Sequence, residues 1–285
     1  MFKNILIPIS SEFYQKEIFK TGAFLAEKFN STITLLYIIE EKTLNQTDKL
    51  SDVYRTTHER AETKKEIIRR YVQSADKIIF DDAELFFKNK NIAFEEEIIN
   101  GEFSTVIKGQ INKKKYDLIL MGFEKECLLN YRLLDEVNIP IWVESGYENK
   151  SILAVCSNLA PNQMVPEFSV KLSKLLGWSL NMLYVVDTQD TVEVDEMGRR
   201  SGKKPEKTLN DRGKQFVSDM HKKGIDVRLV RGILEKETAK AAEDFGAKLV
   251  IIGREQKKKK TLSLSVKSVK RKMAEKCRYS ILFVN

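Results

Sequence analysis

The residues that most clearly suggest chemistry are a glycine and the cationic stretch that follows it. Gly253 ends an apolar run, and positions 254–261 then read Arg-Glu-Gln-Lys-Lys-Lys-Lys-Thr, with Lys267 and Ser268 a little further on. Lysines near a helix N-terminus can hold phosphate oxygens by charge, and serine and threonine hydroxyls can donate hydrogen bonds to them. The other interpretation is a solvated lysine loop that only keeps the protein in solution. The second interpretation is favoured, because runs of like charge are usually solvated.

The remaining reactive residue types have no partners at useful spacing. His58 and His221 have no Cys, Asp or His at metal-ligand spacing, so we expect surface positions for both. Cys127, Cys156 and Cys277 are odd in number and far apart, which predicts neither disulfides nor zinc and favours a reducing cytoplasm. Cys156, at a strand end, is predicted to be a buried filler rather than a reactive thiol. No Ser-His-Asp set, HExxH or complete GxxxxGK[ST] occurs, so the sequence predicts no catalysis and no metal.

The elements that would position such a site alternate between strand and helix. The run at 247–253 and a similar run at 115–122 are continuously apolar and end on glycine, as is typical of parallel strands covered on both faces. In such sheets ligands sit at the carboxyl ends of the strands, so Gly122 and Gly253 mark where a site is expected. No apolar run approaches the ~18 residues of a membrane helix, and no signal-peptide pattern opens the chain. The formal charge of +8 allows attraction to phosphates without defining a fold.

The chain repeats itself. Placing Ile5 on Ile152, an offset of 147, also aligns 36–40 with 183–187. Further along the offset is 131, which pairs Gly101 with Gly232 and Gly122 with Gly253, so the first half carries 16 more residues (147 minus 131). A duplication that keeps strands and glycines in register predicts two homologous domains, 1–146 and 150–285.

The connection between the second and third strands differs between the halves. In the first half it is predicted to be a long charged helix over about 56–88, with an apolar stripe that includes Leu85 and packs on the sheet. In the second half a polar segment, 188–204, is expected to be a mobile loop that covers the mouth of the site. Asp187, just before it, is expected either to touch a ribose or to cap a turn.

The order of these elements, repeated twice, resembles the universal stress protein family. The resemblance rests on I-L-x-P-x-x-S in the first strand, LLYIIE and MLYVVD in the second strands, and M-G or I-G ending the fourth. It implies an α/β fold: two tandem five-stranded parallel-sheet sandwiches of the adenine nucleotide alpha hydrolase-like type, forming an internal pseudo-dimer through their last strands. Many family members bind ATP or AMP, and others bind no nucleotide.

The family's phosphate loop, G-x-x-G, about nine residues, then G-[S/T], is largely lost. In the second half Gln256 stands for the second glycine and Lys267-Ser268 for Gly-Ser. In the first half Lys125 replaces the second glycine and the loop is too short. The acidic residue expected after the first strand is replaced by Ser10 and Ser157. The site that the resemblance implies in the second half consists of Ala154, Ser157, Val186, Gly253, Arg254, Gln256, Lys267 and Ser268.

The leading hypothesis is therefore a non-enzymatic, cytoplasmic tandem universal stress protein with a regulatory or protective role and no cofactor. The alternative is a switch that binds ATP or AMP in the second domain. A third hypothesis, binding of nucleic acid or an acidic partner through Lys257–Lys260, is weakened because no aromatic residues interleave the lysines. ATP hydrolysis is disfavoured for want of a general base and a metal-binding carboxylate pair. A protein partner and a homodimer remain open, and no membrane association is expected.

Overall fold

The computed structural model of the chain describes residues 1–10, 15–40, 57–74, 79–122, 133, 137–146, 148–254, 273 and 278–284. The chain forms two compact units, Met1–Asn130 and Tyr131–Asn285, and each is described by itself below. None of the helices in the described ranges is long and apolar enough to cross a membrane.

The first unit is a parallel sheet with helices between its strands. Its strands are β1 (Asn4–Ser10), β2 (Thr32–Glu40), β3 (Phe94–Gly101) and β4 (Leu118–Gly122), in the order β3-β2-β1-β4. Its helices are α1 (Glu17–Phe29), α2 (Thr57–Ser74), α3 (Asp81–Phe87) and α4 (Phe103–Lys113). Strands β1 and β4 are buried almost throughout, as their continuous apolar runs predict. The edge strand β3 instead carries Glu95, Glu96 and Glu97.

The predicted long helix is described as two helices, α2 and α3, with 75–78 outside the described residues. In α3 the buried side chains are Ala83 and Phe87, which are four residues apart and share one face. Leu85 lies on the opposite face and is 60% exposed, so the prediction that it packs on the sheet is wrong. The third strand begins only at Phe94, because Asn91 takes a left-handed conformation and Ile92 N–H still bonds to the carbonyl of Phe87.

The described part of the second unit contains six strands, against four in the described part of the first. Its strands are β5 (Ile141–Glu144), β6 (Ser151–Ser157), β7 (Ser179–Asp187), β8 (Arg228–Gly232), β9 (Leu249–Gly253) and β10 (Ser280–Val284), in the order β5-β10-β9-β6-β7-β8. Its helices are α5 (Val165–Leu176), α6 (Glu206–Lys222) and α7 (Leu234–Asp244). Strands β6 to β10 pair in parallel, whereas β10 pairs antiparallel with β5. The expected internal pairing of the last strand of each repeat is therefore present.

The duplication read from the sequence is confirmed by strand bounds and register. β1 and β6 begin 147 residues apart (151 minus 4), as do β2 and β7 (179 minus 32). α4 and α7 are 131 apart (234 minus 103), as are β4 and β9 (249 minus 118). The cross-strand partners repeat as well: Asn4 faces Thr32 as Ser151 faces Ser179. The boundary between the compact units, at Asn130, comes before the boundary between the repeats, because β5 pairs with β10 and is counted with the second unit. The domain bounds 1–146 and 150–285 stay a sequence prediction.

Candidate functional site

The described predicted site residues of the second half lie on three neighbouring strands, with Ala154 in the middle of β6 and the others at or near carboxyl ends. β6 lies between β7 and β9, which brings together Ala154 and Ser157 on β6, Val186 on β7 and Gly253 at the end of β9. Ala154, Ser157 and Val186 are fully buried. The other predicted members, Gln256, Lys267 and Ser268, lie outside the described residues, as does the lysine run 257–260.

The loop after β6 is closed by its own polar side chains. Asn162 Oδ1 accepts a hydrogen bond from Ser157 N–H at 2.9 Å, and Asn162 Nδ2 donates to the Ser157 carbonyl at 2.9 Å. The hydroxyl of Ser157 accepts a bond from Leu159 N–H at 3.2 Å. These bonds satisfy the main-chain groups at the strand end where a ligand is expected to bind.

Pro161, in the same loop, lies directly against Gly253. A Cβ built on Gly253 would stand 1.8 Å from the carbonyl oxygen of Pro161 and 2.9 Å from its carbonyl carbon. No side chain larger than hydrogen fits at that distance, so a glycine is required at this position. The close approach that Gly253 permits is thus made by the chain's own backbone.

Arg254 is turned inwards rather than towards a ligand. It is 1% exposed, and its guanidinium Nη2 donates to the carbonyls of Val137 and, at 3.1 Å, Ile139. Its N–H donates to the carbonyl of Val284 at 2.7 Å. Both the cationic group and the main-chain donor of Arg254 therefore serve the packing of the segment before β5 and the end of β10.

Asp187 at the end of β7 caps backbone groups, which was one of the two roles expected for it. Its carboxylate accepts bonds from Gln189 N–H at 2.9 Å, Asp190 N–H at 2.7 Å and Leu234 N–H at 2.7 Å. Leu234 is the first residue of α7, so Asp187 supplies the side-chain cap that the N-terminus of this helix needs. The side chain of Asp187 is 2% exposed.

The segment 188–204 is folded, which corrects the expectation of a mobile loop. Asn158 Nδ2 donates to the carbonyl of Val192 at 2.7 Å, and the Asn158 carbonyl accepts from Val194 N–H at 2.8 Å. Val194 forms an antiparallel bridge with Arg200, and the turn between them is held by Asp195, which accepts from Arg199 N–H at 2.9 Å. Polar residues hold this segment in place through hydrogen bonds. A polar composition does not distinguish such a folded segment from a mobile one.

Two titratable groups near the strand ends, Cys156 and Tyr184, are buried, and burial raises the pKa of both. Burial raises the pKa of the Cys156 thiol, which is free and fully buried, as the filler interpretation predicts. Burial, and to a smaller extent the neighbouring Cys156, raises the pKa of Tyr184 to about 12. Within the described ranges no group of three or more His, Cys, Asp or Glu side chains is placed to hold a metal ion.

The corresponding site of the first half is largely outside the described residues. Ser10 and Glu40, at the ends of β1 and β2, are buried. The segments that follow β1, β2 and β4, namely 11–14, 41–56 and 123–132, are outside, and Lys125 with them. The prediction that this half binds no nucleotide therefore stays a prediction.

Sequence reasoning missed Asn158, Pro161 and Asn162, which build the loop after β6. A signal was available, since asparagine and proline clustered after a strand are typical turn formers. The pattern does not reveal that the turn folds back onto Gly253, because that contact joins two residues that are 92 positions apart (253 minus 161).

Comparison with known proteins agrees with this fold. Residues 1–137 match the model of the Universal stress protein family. Residues 1–137 thus form a universal stress protein domain. No protein with a curated description is detectably similar to it in sequence.

Solved structures match both halves of the chain. A proposed universal stress protein from Pseudomonas aeruginosa UCBPP-PA14 is 11% identical, with a TM-score of 0.63 over 99% of this chain and 93% of that one. A universal stress protein from Archaeoglobus fulgidus DSM 4304 is 11% identical, with a TM-score of 0.61 over 98% and 96%. A protein of unknown function from Pseudomonas aeruginosa PAO1 is 11% identical, with a TM-score of 0.62 over 99% and 92%. At this identity the likeness shows the fold, two tandem universal stress protein sandwiches.

Proposed function

We propose that this chain is a non-enzymatic stress-response protein of the cytoplasm, with a regulatory or protective role that does not use an adenine nucleotide in its second domain. The observation that carries the proposal is the position of the Pro161 carbonyl oxygen against Gly253. A carbonyl oxygen carries partial negative charge, so it repels phosphate oxygens from the place where a phosphate loop would bring them.

The main-chain donors at this edge support the same conclusion. A phosphate is held by free N–H groups that point at it. Here Ser157 N–H donates to Asn162, and Arg254 N–H donates to Val284. A nucleotide would have to replace these bonds before it could form its own, at a net cost of roughly 0.5–1.5 kcal/mol for each bond.

The alternative function is binding of ATP or AMP in the second domain. It is favoured by the lysines at 257–260 and by Lys267 and Ser268, which could supply charge and a hydroxyl where the glycines of the family motif are missing. Binding of nucleic acid or another polyanion would use the same lysines and would weaken steeply as salt is raised.

Equilibrium dialysis with labelled ATP and AMP tests the proposal, together with the melting temperature in millimolar ATP. We expect no saturable binding and an unchanged Tm. A ligand present at 100 times its Kd would stabilise the protein by about 2.7 kcal/mol, a shift that is easily measured.

A variant with alanine at 257–260 separates the outcomes. If the parent chain binds ATP and the variant does not, the lysines hold the nucleotide and the proposal is wrong. The proposal is also wrong if the parent chain and the variant both bind ATP, since the strand ends would then hold the nucleotide without the lysines. Loss of binding on raising salt from 50 to 200 mM, with equal affinity for ATP and for single-stranded DNA, would identify a polyanion binder instead.

A further inference from the structure

A cleft of about 750 Å³ opens in the second unit, and Asn162 is shared between its lining and the loop that closes the end of β6. It lies between the beginning of α5, the length of α6 and the folded segment 188–204. The lining residues are Asn162, Gln163, Pro166, Glu167, Glu193, Val194, Asp195, Glu196, Arg199, Arg200, Ser201, Arg212, Phe216, Met220 and Lys223. None of the described site residues predicted from the sequence is among them. The volume is within the range of ~300–1,000 Å³ that small-molecule sites occupy.

Several lining side chains are apolar. Pro166, Val194 and Met220 are buried, and Phe216 is half-buried with its ring centroid 4.9 Å from that of Tyr184. These side chains come from α5, α6 and the segment between β7 and α6, so three separate elements converge on one apolar surface. Such convergence is typical of a binding cleft rather than of a single exposed hydrophobic residue.

The wall formed by 188–204 is preorganised. The Asn158 side chain holds this wall in place, because its Nδ2 donates hydrogen bonds to the carbonyls of Val192 and Asp190. Ser201 Oγ accepts from Glu193 N–H at 3.0 Å, and Ser201 N–H donates to the Glu193 carbonyl at 2.7 Å. A ligand would therefore meet a wall already folded, which reduces the entropy lost on binding.

The charges along the cleft cancel. Four cationic residues line it, Arg199, Arg200, Arg212 and Lys223, against four acidic ones, Glu167, Glu193, Asp195 and Glu196, so the net formal charge is zero.

The three lining arginines are also paired within the chain. Arg199 pairs with Asp195 at 2.7 Å, Arg200 with Asp190 at 3.0 Å and Arg212 with Glu193. A charged ligand finds no net attraction here and competes with an existing ion pair for each charge it presents. A neutral apolar ligand buries the part of this apolar surface that is still exposed, chiefly on Phe216, and leaves the pairs intact, at about 25 cal/mol for each Å² removed from water.

We propose that this cleft binds a neutral, largely apolar small molecule, at a site separate from the strand ends where the family motif falls. The proposal does not depend on whether a nucleotide binds elsewhere.

Titration with N-phenyl-1-naphthylamine, a neutral fluorophore, tests the site. We expect saturable binding of one molecule for each chain, seen as enhanced emission. Gln163→Trp places a bulky side chain in the cleft from an exposed lining position and should weaken binding at least tenfold. Glu167→Trp, also at an exposed lining position, is a second blocking variant. Leu175→Trp is the matched control, because Leu175 is 47% exposed and does not line the cleft.

Circular dichroism checks that each variant is folded. Three results would overturn the proposal: no saturable binding up to the solubility limit of the fluorophore, equal affinity in the parent chain and both blocking variants, or tighter binding of the anionic analogue 1-anilinonaphthalene-8-sulfonate than of the neutral probe. An apolar peptide that competes with the fluorophore more strongly than any small molecule of similar hydrophobicity would also overturn it, by assigning the cleft to a protein partner.

Discussion

The carbonyl oxygen of Pro161 stands where the Cβ of any other residue at position 253 would have to be, at 1.8 Å from the ideal Cβ position. A glycine at the end of this strand is what the universal stress protein motif leads one to expect for approach of a phosphate. In this chain the residue is required for a contact between two of the protein's own loops. Retention of a motif glycine therefore does not indicate retention of the ligand.

Gly253→Ala should destabilise the protein. The added methyl group meets backbone rather than the flexible end of a side chain, so the loop after β6 must move. Overpacking of this kind costs about 1–3 kcal/mol. For a unit of this size, each kcal/mol lowers Tm by roughly 2–4 °C. Thermal unfolding followed by circular dichroism measures the effect.

Gly202→Ala is the control for that measurement. Gly202 is exposed, and no heavy atom lies within 4 Å of its ideal Cβ position. We expect its Tm to match that of the parent chain, since surface changes of this type stay within about 0.5 kcal/mol. Equal stability of Gly253→Ala and the parent chain would mean that Pro161 does not contact Gly253 in solution.

Asp187→Ala should loosen both the segment after β7 and the beginning of α7. Three backbone N–H groups, those of Gln189, Asp190 and Leu234, lose their acceptor. Leaving a buried donor unsatisfied costs about 1–3 kcal/mol. The expected result is a lower midpoint of urea unfolding with an unchanged slope.

Two comparisons assign that effect to the cap. Asp187→Asn keeps one acceptor oxygen and should lie between the parent chain and Asp187→Ala. Asp211→Ala removes an exposed aspartate from α6 and should leave the midpoint unchanged. If Asp211→Ala were as destabilising as Asp187→Ala, general charge rather than capping would be responsible.

The fold was largely predictable because it repeats. Apolar runs that end in glycine locate the central strands, and the offsets of 147 and 131 recur in the bounds of β6, β7, α7 and β9. Which face of a helix is buried was harder to predict, because it depends on tertiary contacts. α3 buries one face and exposes Leu85, which apolar spacing alone assigned to the core.

The alternation of strands and helices predicts that Ser157, Val186 and Gly253 meet at one edge of the sheet, and the strand order places them there. That this edge is a binding site stays a prediction. The contact between Pro161 and Gly253 was not predictable, because it depends on how the turn after β6 folds back towards the end of β9. The cleft was likewise missed, since its apolar members, such as Val194 and Phe216, are separated in sequence and each reads as ordinary core.

Glu102→Gln should reduce stability in a pH-dependent way. Burial alone would raise the pKa of Glu102, but hydrogen bonds from Thr105 and Ser104 outweigh it and lower the pKa to about 2 from an ordinary 4.5. A carboxylate with a lowered pKa stabilises the folded state above its unfolded pKa, and this contribution is lost as pH falls from about 4.5 to 2. The difference in Tm between the parent chain and Glu102→Gln should thus be largest near pH 6 and vanish near pH 2.

Removal of the donors gives the complementary test. The hydroxyls of Ser104 and Thr105 lie 2.8 Å and 2.6 Å from the Glu102 carboxylate. Ser104→Ala combined with Thr105→Val should raise the pKa of Glu102 and shift the loss of stability to higher pH. A Tm difference between the parent chain and Glu102→Gln that is the same at every pH would contradict the assignment of the effect to this carboxylate.

The buried carboxylate of Glu144 should couple β5 to β10. It is 1% exposed and accepts hydrogen bonds from Ser280 Oγ at 2.9 Å, Trp142 Nε1 at 3.1 Å and Gly146 N–H at 3.0 Å, with Lys248 Nζ at 3.9 Å. Glu144→Ala removes the acceptor of these three donors and the partner of the partly buried Lys248 ammonium. Loss of one partner of a buried pair costs about 3–5 kcal/mol. Ser280→Ala removes one neutral donor and should cost about 1 kcal/mol.

A double-mutant cycle on Glu144 and Ser280 measures the coupling between the last strands of the two repeats. We expect a coupling energy of about 0.5–3 kcal/mol from urea unfolding of the parent chain, both single variants and the double variant, because the two residues share a hydrogen bond. Glu243→Ala, at an exposed position in α7, is the control and should stay within about 0.5 kcal/mol of the parent chain. Additive single effects would show that Glu144 acts through Trp142, Gly146 and Lys248, and that its hydrogen bond with Ser280 contributes nothing to stability.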